Sequence, residues 1–149
     1  MDPFEIRKIS STGVGITALG LGGAPIGGMI SAGGLYGGTD YNEALRIIKT
    51  AYELGVRYFD TAPLYGLGRS EGRYSAVLPQ LPRGSFAIST KAGRILAPVD
   101  QNAAEPVGPE MLPVLEPTFD YTRDGIRRSL EDSLTRLKLD RIDILLLHD

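Results

Sequence analysis

The sequence predicts an α/β fold built on a parallel sheet, and three observations carry that prediction. Runs rich in β-branched and aromatic residues alternate with amphipathic helical segments along the chain, a pattern that implies parallel strands joined by right-handed crossovers. The last run, Ile142-Asp143-Ile144-Leu145-Leu146-Leu147, is nearly continuous in apolar character, as burial on both faces of a sheet requires. The run Val56 to Asp60 passes into Thr61-Ala62-Pro63-Leu64-Tyr65-Gly66-Leu67-Gly68, where proline and glycine stop a strand and open a loop. Alternation by itself leaves a closed barrel and an open doubly wound sheet equally available.

Ahead of the sheet, Arg7 to Ile16 reads as a small hairpin turning at Ser11-Thr12-Gly13. Thr17 to Gly22 is expected as the first parallel strand, running into Gly22-Gly23-Ala24-Pro25-Ile26-Gly27-Gly28. Missing side chains there let a ligand approach the backbone, although glycine content alone reads as a flexible loop. Ile30 to Gly38 stays glycine-rich and is expected to be mobile. Asp40 to Leu54 is the clearest helix, with Asp40 and Glu43 spaced as a capping box. Ala44, Ile47, Ile48, Ala51 and Leu54 form its apolar stripe, and Gly55 supplies a left-handed end.

Beyond the Val56–Asp60 strand, Ser70 is expected to cap a short helix reaching about Leu78, which Pro79 and Pro82 end. Ser85 to Thr90 reads as the third strand, with Lys91 at its end. Arg94 to Tyr121 is proline-rich without stable periodicity, which predicts a long irregular loop of the functional or mobile kind. Thr122 to Lys138 is the next helix, with Ile126, Leu130, Leu134 and Leu137 facing inward. Asp124, Glu131, Asp132, Arg127, Arg128, Arg136 and Lys138 form its solvated outer surface. Ile142 to Leu147 closes the pattern, followed by His148 and Asp149.

Composition narrows the function classes. The 149 residues suit one domain with a single core, and 42% hydrophobic with 23% charged residues exclude wholesale disorder. A formal net charge of −2 offers no basic footprint, so neither nucleic acid nor an anionic membrane is expected as partner. Without cysteine there is no disulfide framework and no thiolate chemistry, and no metal site is expected. No apolar run reaches membrane-spanning length, and Met1-Asp2-Pro3-Phe4-Glu5 lacks a signal-peptide core. A cytoplasmic location is the expectation.

Asp60, Lys91 and His148 each follow a predicted strand, and Tyr65 lies in one of the intervening loops. Neighbouring parallel strands would bring all four to the carboxyl-terminal face, where such folds place their chemistry. Taken singly, each has a structural reading: Asp60 as a backbone cap, Lys91 as its salt-bridge partner, Tyr65 as a loop aromatic and His148 as a strand-end packing residue. Taken together, their chemistry fits a proton relay. A phenol ionises more readily beside an ammonium, a carboxylate orients that ammonium, and an imidazole places the reacting oxygen.

The motif Phe59-Asp60-Thr61-Ala62, followed by Tyr65-Gly66 and Ser70-Glu71, resembles the second strand and loop of the aldo-keto reductases. Gly20-Leu21-Gly22-Gly23-Ala24-Pro25, Ser89-Thr90-Lys91-Ala92-Gly93-Arg94 and Ile144-Leu145-Leu146-Leu147-His148-Asp149 are similar to the same family's bacterial sugar 1-dehydrogenases, which act on D-threo-aldoses, L-fucose and galactose. The resemblance covers essentially the whole chain and implies a (β/α)8 TIM barrel, of which residues 1–149 would be the N-terminal half, a hairpin and the first four strands. It implies Asp60, Tyr65, Lys91 and His148 as catalytic residues, Tyr65 being the general acid or base. It implies NADP or NAD as cofactor, held on its nicotinamide side at Gly22, Gly23, Ala24 and Asp60, with the phosphate sites in later units. The implied substrate is a sugar oxidised at its anomeric carbon to the lactone, with pyridoxal or general aldehyde reduction as runner-up. A non-catalytic half-barrel module is the rival from another class. One departure is Tyr74-Ser75, where the family usually carries leucine-glycine, and this bears on packing. Open sheet edges at Thr17–Gly22 and Ile142–Leu147 imply self-association of the chain.

Overall fold

The computed structural model describes residues 2–28, 39–99 and 115–148; the Ile30–Gly38 loop, residues 100–114 and Asp149 lie outside them. The chain opens with an antiparallel hairpin of β1 (Ile6–Lys8) and β2 (Gly15–Thr17). It continues through β3 (Leu21–Gly22), α1 (Tyr41–Leu54), β4 (Tyr58–Asp60) and α2 (Arg69–Ser75). Next come β5 (Ala87–Ala92), β6 (Arg94–Pro98), β7 (Leu115–Phe119), α3 (Arg123–Leu137) and β8 (Ile144–Leu147). Strands β3, β4, β5 and β8 form a four-stranded parallel sheet in that order. No helix among the described residues is long and apolar enough to cross a membrane.

Side-chain alternation divides this sheet into two chemically distinct faces. Phe59 and Ile88, paired across β4 and β5, join the core with Ile48 of α1, Tyr74 of α2 and Leu137 of α3. Phe59 meets Tyr74 and Phe86 edge to face at 5.8 and 6.1 Å, and its complete burial contributes about 1.5–3 kcal/mol. Tyr74 is buried too, and burial pushes its phenol far above the usual range. The neutral hydroxyl donates to the Leu21 carbonyl at 3.1 Å, so the residue replacing the family's leucine ties α2 to β3. Tyr58, Asp60, Ser89 and Lys91 occupy the opposite face, where they bond to one another.

Several elements depart from the sequence expectations. Thr17 ends β2 rather than beginning β3, because its hydroxyl donates to the Leu19 carbonyl and accepts from Arg57 N, turning the chain between the strands. Asp40 caps α1 through Glu43 N at 3.0 Å, but the Glu43 carboxylate grips Arg46 instead of completing the box. Leu54 stands 65% exposed at the helix end. Ser70 caps nothing: α2 starts after Gly68, which is left-handed at φ 89°, and the Ser70 hydroxyl bonds Thr61 Oγ1 at 2.8 Å. The helix stops at Ser75, and two 3-10 turns follow, Leu78–Gln80 with Pro79 inside it and Arg83–Ser85 with Pro82 immediately before it. The third strand therefore runs from Ala87 through Lys91 to Ala92.

The expected irregular stretch holds an antiparallel ribbon, β6 with β7, whose Pro98 and Pro117 are tolerated because a two-stranded ribbon leaves N–H positions facing solvent. In α3 the buried line is Gly125, Ser129, Ser133 and Leu137, while Ile126, Leu130 and Leu134 are half-buried. Small residues win that line because the helix approaches its neighbours closely. At Gly125 a Cβ would sit 2.1 Å from Asp120 Cγ. Arg136 also leaves the solvated surface assigned to it, donating from Nε to the fully buried Glu71 carboxylate at 2.6 Å.

Candidate active site

Each of the four sequence-predicted site residues reaches the carboxyl end of the sheet. Asp60 is the last residue of β4, Lys91 the penultimate residue of β5, and His148 follows β8 directly. Asp60 and Lys91 thus sit inside their strands rather than after them. Parallel pairing sets Asp60 beside Ser89 and Gly22, and Lys91 beside Leu146. Lys91 Nζ donates to both Asp60 carboxylate oxygens at 2.9 Å and to the Thr61 carbonyl at 3.0 Å. The pair is largely shielded, its side chains 13% and 26% exposed, so the attraction is stronger than at an open surface.

Tyr65 stands on the loop between β4 and α2. That loop is built by three successive left-handed residues, Gly66 at φ 65°, Leu67 at 51° and Gly68 at 89°, and by bonds from Tyr65 N to the Ala62 carbonyl and Gly68 N to the Pro63 carbonyl. A Cβ on Gly66 would lie 2.2 Å from the Gly27 carbonyl oxygen. Gly27 and Gly66 are therefore glycines so that two loops can touch, which fixes the backbone that carries Tyr65. The Tyr65 ring lies 4.7 Å below Lys91 Nζ and edge to face with the His148 ring at 5.7 Å. Among the described residues Lys91 meets Tyr65 through the ring, with no hydrogen bond between their polar atoms.

His148 is buried. Its N–H donates to the Ala92 carbonyl at 3.0 Å, and its own carbonyl accepts from the Tyr121 hydroxyl at 2.5 Å. Burial lowers the imidazole pKa below its usual value, the Arg94 and Lys91 charges lower it further, and Asp60 opposes them. A ring held neutral keeps one donor and one acceptor nitrogen. Its Nδ1 is buried with no hydrogen-bond partner among the described residues.

The glycine-rich loop after β3 divides on inspection. Gly22 has open space where a Cβ would stand, so bare backbone is presented beside Asp60. Gly23 does not: a Cβ there would lie 2.5 Å from Ser70 Oγ and 2.6 Å from the Asp60 carbonyl oxygen. Its missing side chain is required by internal packing. Ala24 is half-buried.

Residues 19–149 match the model of the aldo/keto reductase family. The chain belongs to that family. It is 40% identical to the D-threo-aldose 1-dehydrogenase of a Pseudomonas species over 144 residues, which cover 94% of this chain and 42% of that protein. Identity to the pyridoxal 4-dehydrogenase of Microbacterium luteolum is 36% over 154 residues, covering 97% and 43%. Among solved structures, the glycerol dehydrogenase of Gluconobacter oxydans superposes with a TM-score of 0.71 at 28% identity, covering 97% of this chain and 39% of that one. The holo form of a Bacillus halodurans aldo-keto reductase gives 0.72 at 26%, covering 97% and 40%. The chain thus spans about two-fifths of the length of the curated relatives it matches. The fold is that of the aldo-keto reductase (β/α)8 barrel, an oxidoreductase family, and this chain contributes a hairpin and four parallel strands of it.

Within that aldo-keto reductase frame, two residues that sequence reading gave no site role also place the site. Asp143 Oδ2 accepts from Ile88 N at 2.9 Å and from Arg83 Nη2 at 2.7 Å, pinning the β5–β8 register in which Leu147 pairs with Ala92 and His148 N reaches the Ala92 carbonyl. Glu71 accepts from Thr90 Oγ1 at 2.8 Å and from Arg136, fastening α2 and α3 to the strand that carries Lys91. The sequence signalled Asp143 only as a charge in an apolar run and Glu71 only as part of the Ser70-Glu71 motif.

Proposed function

We propose that this chain carries the proton-transfer half of an NAD(P)-dependent aldose 1-dehydrogenase, which oxidises a sugar at its anomeric carbon to the lactone. The observation that supports this most is the convergence of Asp60, Tyr65, Lys91 and His148 at one end of a parallel sheet. The resemblance to a D-threo-aldose 1-dehydrogenase supports the substrate class. The hydride that leaves the anomeric carbon would pass to NAD or NADP, the redox chemistry that such a group would supply when bound. The open backbone at Gly22 and the Asp60 carboxylate beside it suit the nicotinamide side of such a group, with the backbone of Gly23 and Ala24 adjoining.

In this reading Tyr65 accepts the proton of the anomeric hydroxyl as the carbon becomes a carbonyl, and returns it in the reverse direction. The neutral His148 ring hydrogen-bonds the same oxygen and aims it at Tyr65. Lys91, 4.7 Å from the phenol ring centroid, stabilises negative charge there, and Asp60 with the Thr61 carbonyl holds the ammonium in place. Tyr65→Phe tests the assignment in the active protein. The kcat should fall by about 10²–10⁴ with cofactor affinity nearly unchanged. Equal losses in affinity and turnover would reassign Tyr65 to packing, and turnover of pyridoxal without aldoses would replace the substrate class.

A further inference from the structure

A run of hydrogen bonds continues from the Asp60–Lys91 pair into two residues that the proposed chemistry does not use. We propose that Ser89 and Tyr58 are positioning residues that lock the Asp60 carboxylate, and through it the Lys91 ammonium, in one orientation toward Tyr65. The proposal rests on the functional reading of Lys91 and Tyr65 given above.

Ser89 Oγ lies 2.6 Å from Asp60 Oδ1, and a carboxylate only accepts, so the single hydroxyl proton of Ser89 is committed to Asp60. The Tyr58 hydroxyl, 3.0 Å from Ser89 Oγ, must then be the donor in that contact. Donation runs one way, from Tyr58 to Ser89 to Asp60, and each donor polarises the next. At the far end, Lys91 Nζ faces three oxygens, Asp60 Oδ1 and Oδ2 and the Thr61 carbonyl. Its three protons are thereby matched, and the ammonium cannot swing without breaking one of these contacts.

An ion pair alone leaves a carboxylate free to turn about its Cβ–Cγ bond. Ser89 is the one neutral donor to Asp60 among the described residues, and a charge-assisted bond of this length fixes that torsion. The register that sets Asp60 opposite Ser89 makes the contact unavoidable. Ser89 is fully buried, so water does not readily take its place. Tyr58 is fixed in turn by Gly20, where a Cβ would stand 2.6 Å from Tyr58 Cδ1, so its ring lies against bare backbone.

The test is a double-variant cycle in the active protein. Ser89→Ala should lower kcat about 10-fold with the cofactor KM unchanged, because it disturbs aim rather than binding. Tyr58→Phe should cost less, and the double variant should equal Ser89→Ala alone, since Tyr58 acts only through Ser89. Independent of turnover, NMR should show a slowly exchanging Ser89 hydroxyl proton with scalar coupling to the Asp60 carboxylate carbon. Additive losses, a matching rise in KM, or the absence of that proton would overturn the proposal. Tyr65→Phe is the control. If it leaves kcat intact, the functional reading fails; if it cripples turnover while Ser89→Ala does not, only the positioning role fails.

Discussion

Gly23→Ala and Gly22→Ala are adjacent, chemically identical substitutions with opposite expected outcomes. At Gly23 the new methyl would meet Ser70 Oγ at 2.5 Å, the Asp60 carbonyl oxygen at 2.6 Å and Tyr74 Cε2 at 2.9 Å. All three are closer than real Cβ contacts, and none belongs to a flexible side-chain tip. The serine is held by Thr61, the tyrosine by the Leu21 carbonyl, and the Asp60 carbonyl is part of β4. Overpacking of this kind costs about 1–3 kcal/mol, only partly offset by the roughly 0.4–1 kcal/mol that alanine gains by restricting the unfolded chain. At Gly22 nothing lies within 4 Å and the backbone is not left-handed, so only that gain remains. Urea unfolding should therefore show Gly23→Ala destabilised by about 1–2 kcal/mol and Gly22→Ala unchanged or slightly stabilised. In cofactor titrations of the active protein the order reverses at Gly22, where the methyl would stand in the space assigned to the nicotinamide side and weaken binding about 10-fold. Equal destabilisation by both substitutions would refute the division of the loop into a packed and an open glycine.

Other outcomes follow from single contacts. Glu71→Gln leaves Arg136, 18% exposed, without its carboxylate in a buried setting and should cost about 3 kcal/mol by denaturant titration; a loss below the error of the fit would mean that water already screens the pair. The His148 pKa is lowered in the fold from its ordinary 6.5, so below about that pH the unfolded chain binds a proton that the folded chain resists. Its contribution is complete above that value and declines as the solution is acidified toward the lowered folded value. His148→Asn should flatten this part of the pH–stability profile, and an unchanged slope would assign the decline to other groups. The 149-residue chain by itself should self-associate in a concentration-dependent way, because β8 leaves Leu145, Leu146 and Leu147 41%, 42% and 69% exposed beside an open strand edge. A stable monomer in analytical ultracentrifugation, with cofactor affinity near micromolar, would contradict this.

Element types were legible in the sequence wherever the cause is local. Asp40 and Gly55 cap α1 through atoms a few residues away, and β8 is apolar because both faces of a parallel strand are ordinarily covered. The order of Asp60, Tyr65, Lys91 and His148 along the chain was equally plain, since strand ends follow from turn residues. Tertiary structure decided what depends on partners distant in sequence. Two neighbouring glycines differ because Ser70 and Tyr74 crowd one and nothing crowds the other. The proline-rich stretch holds a ribbon because β6 and β7 satisfy each other's backbone across residues 99–114. Ser89 bonds Asp60 only because β4 and β5 pair in that register, and one residue of slip would turn Ser89 to the opposite face. Local sequence carries propensity and spacing, whereas register and close approach belong to surfaces that meet only after the chain has folded.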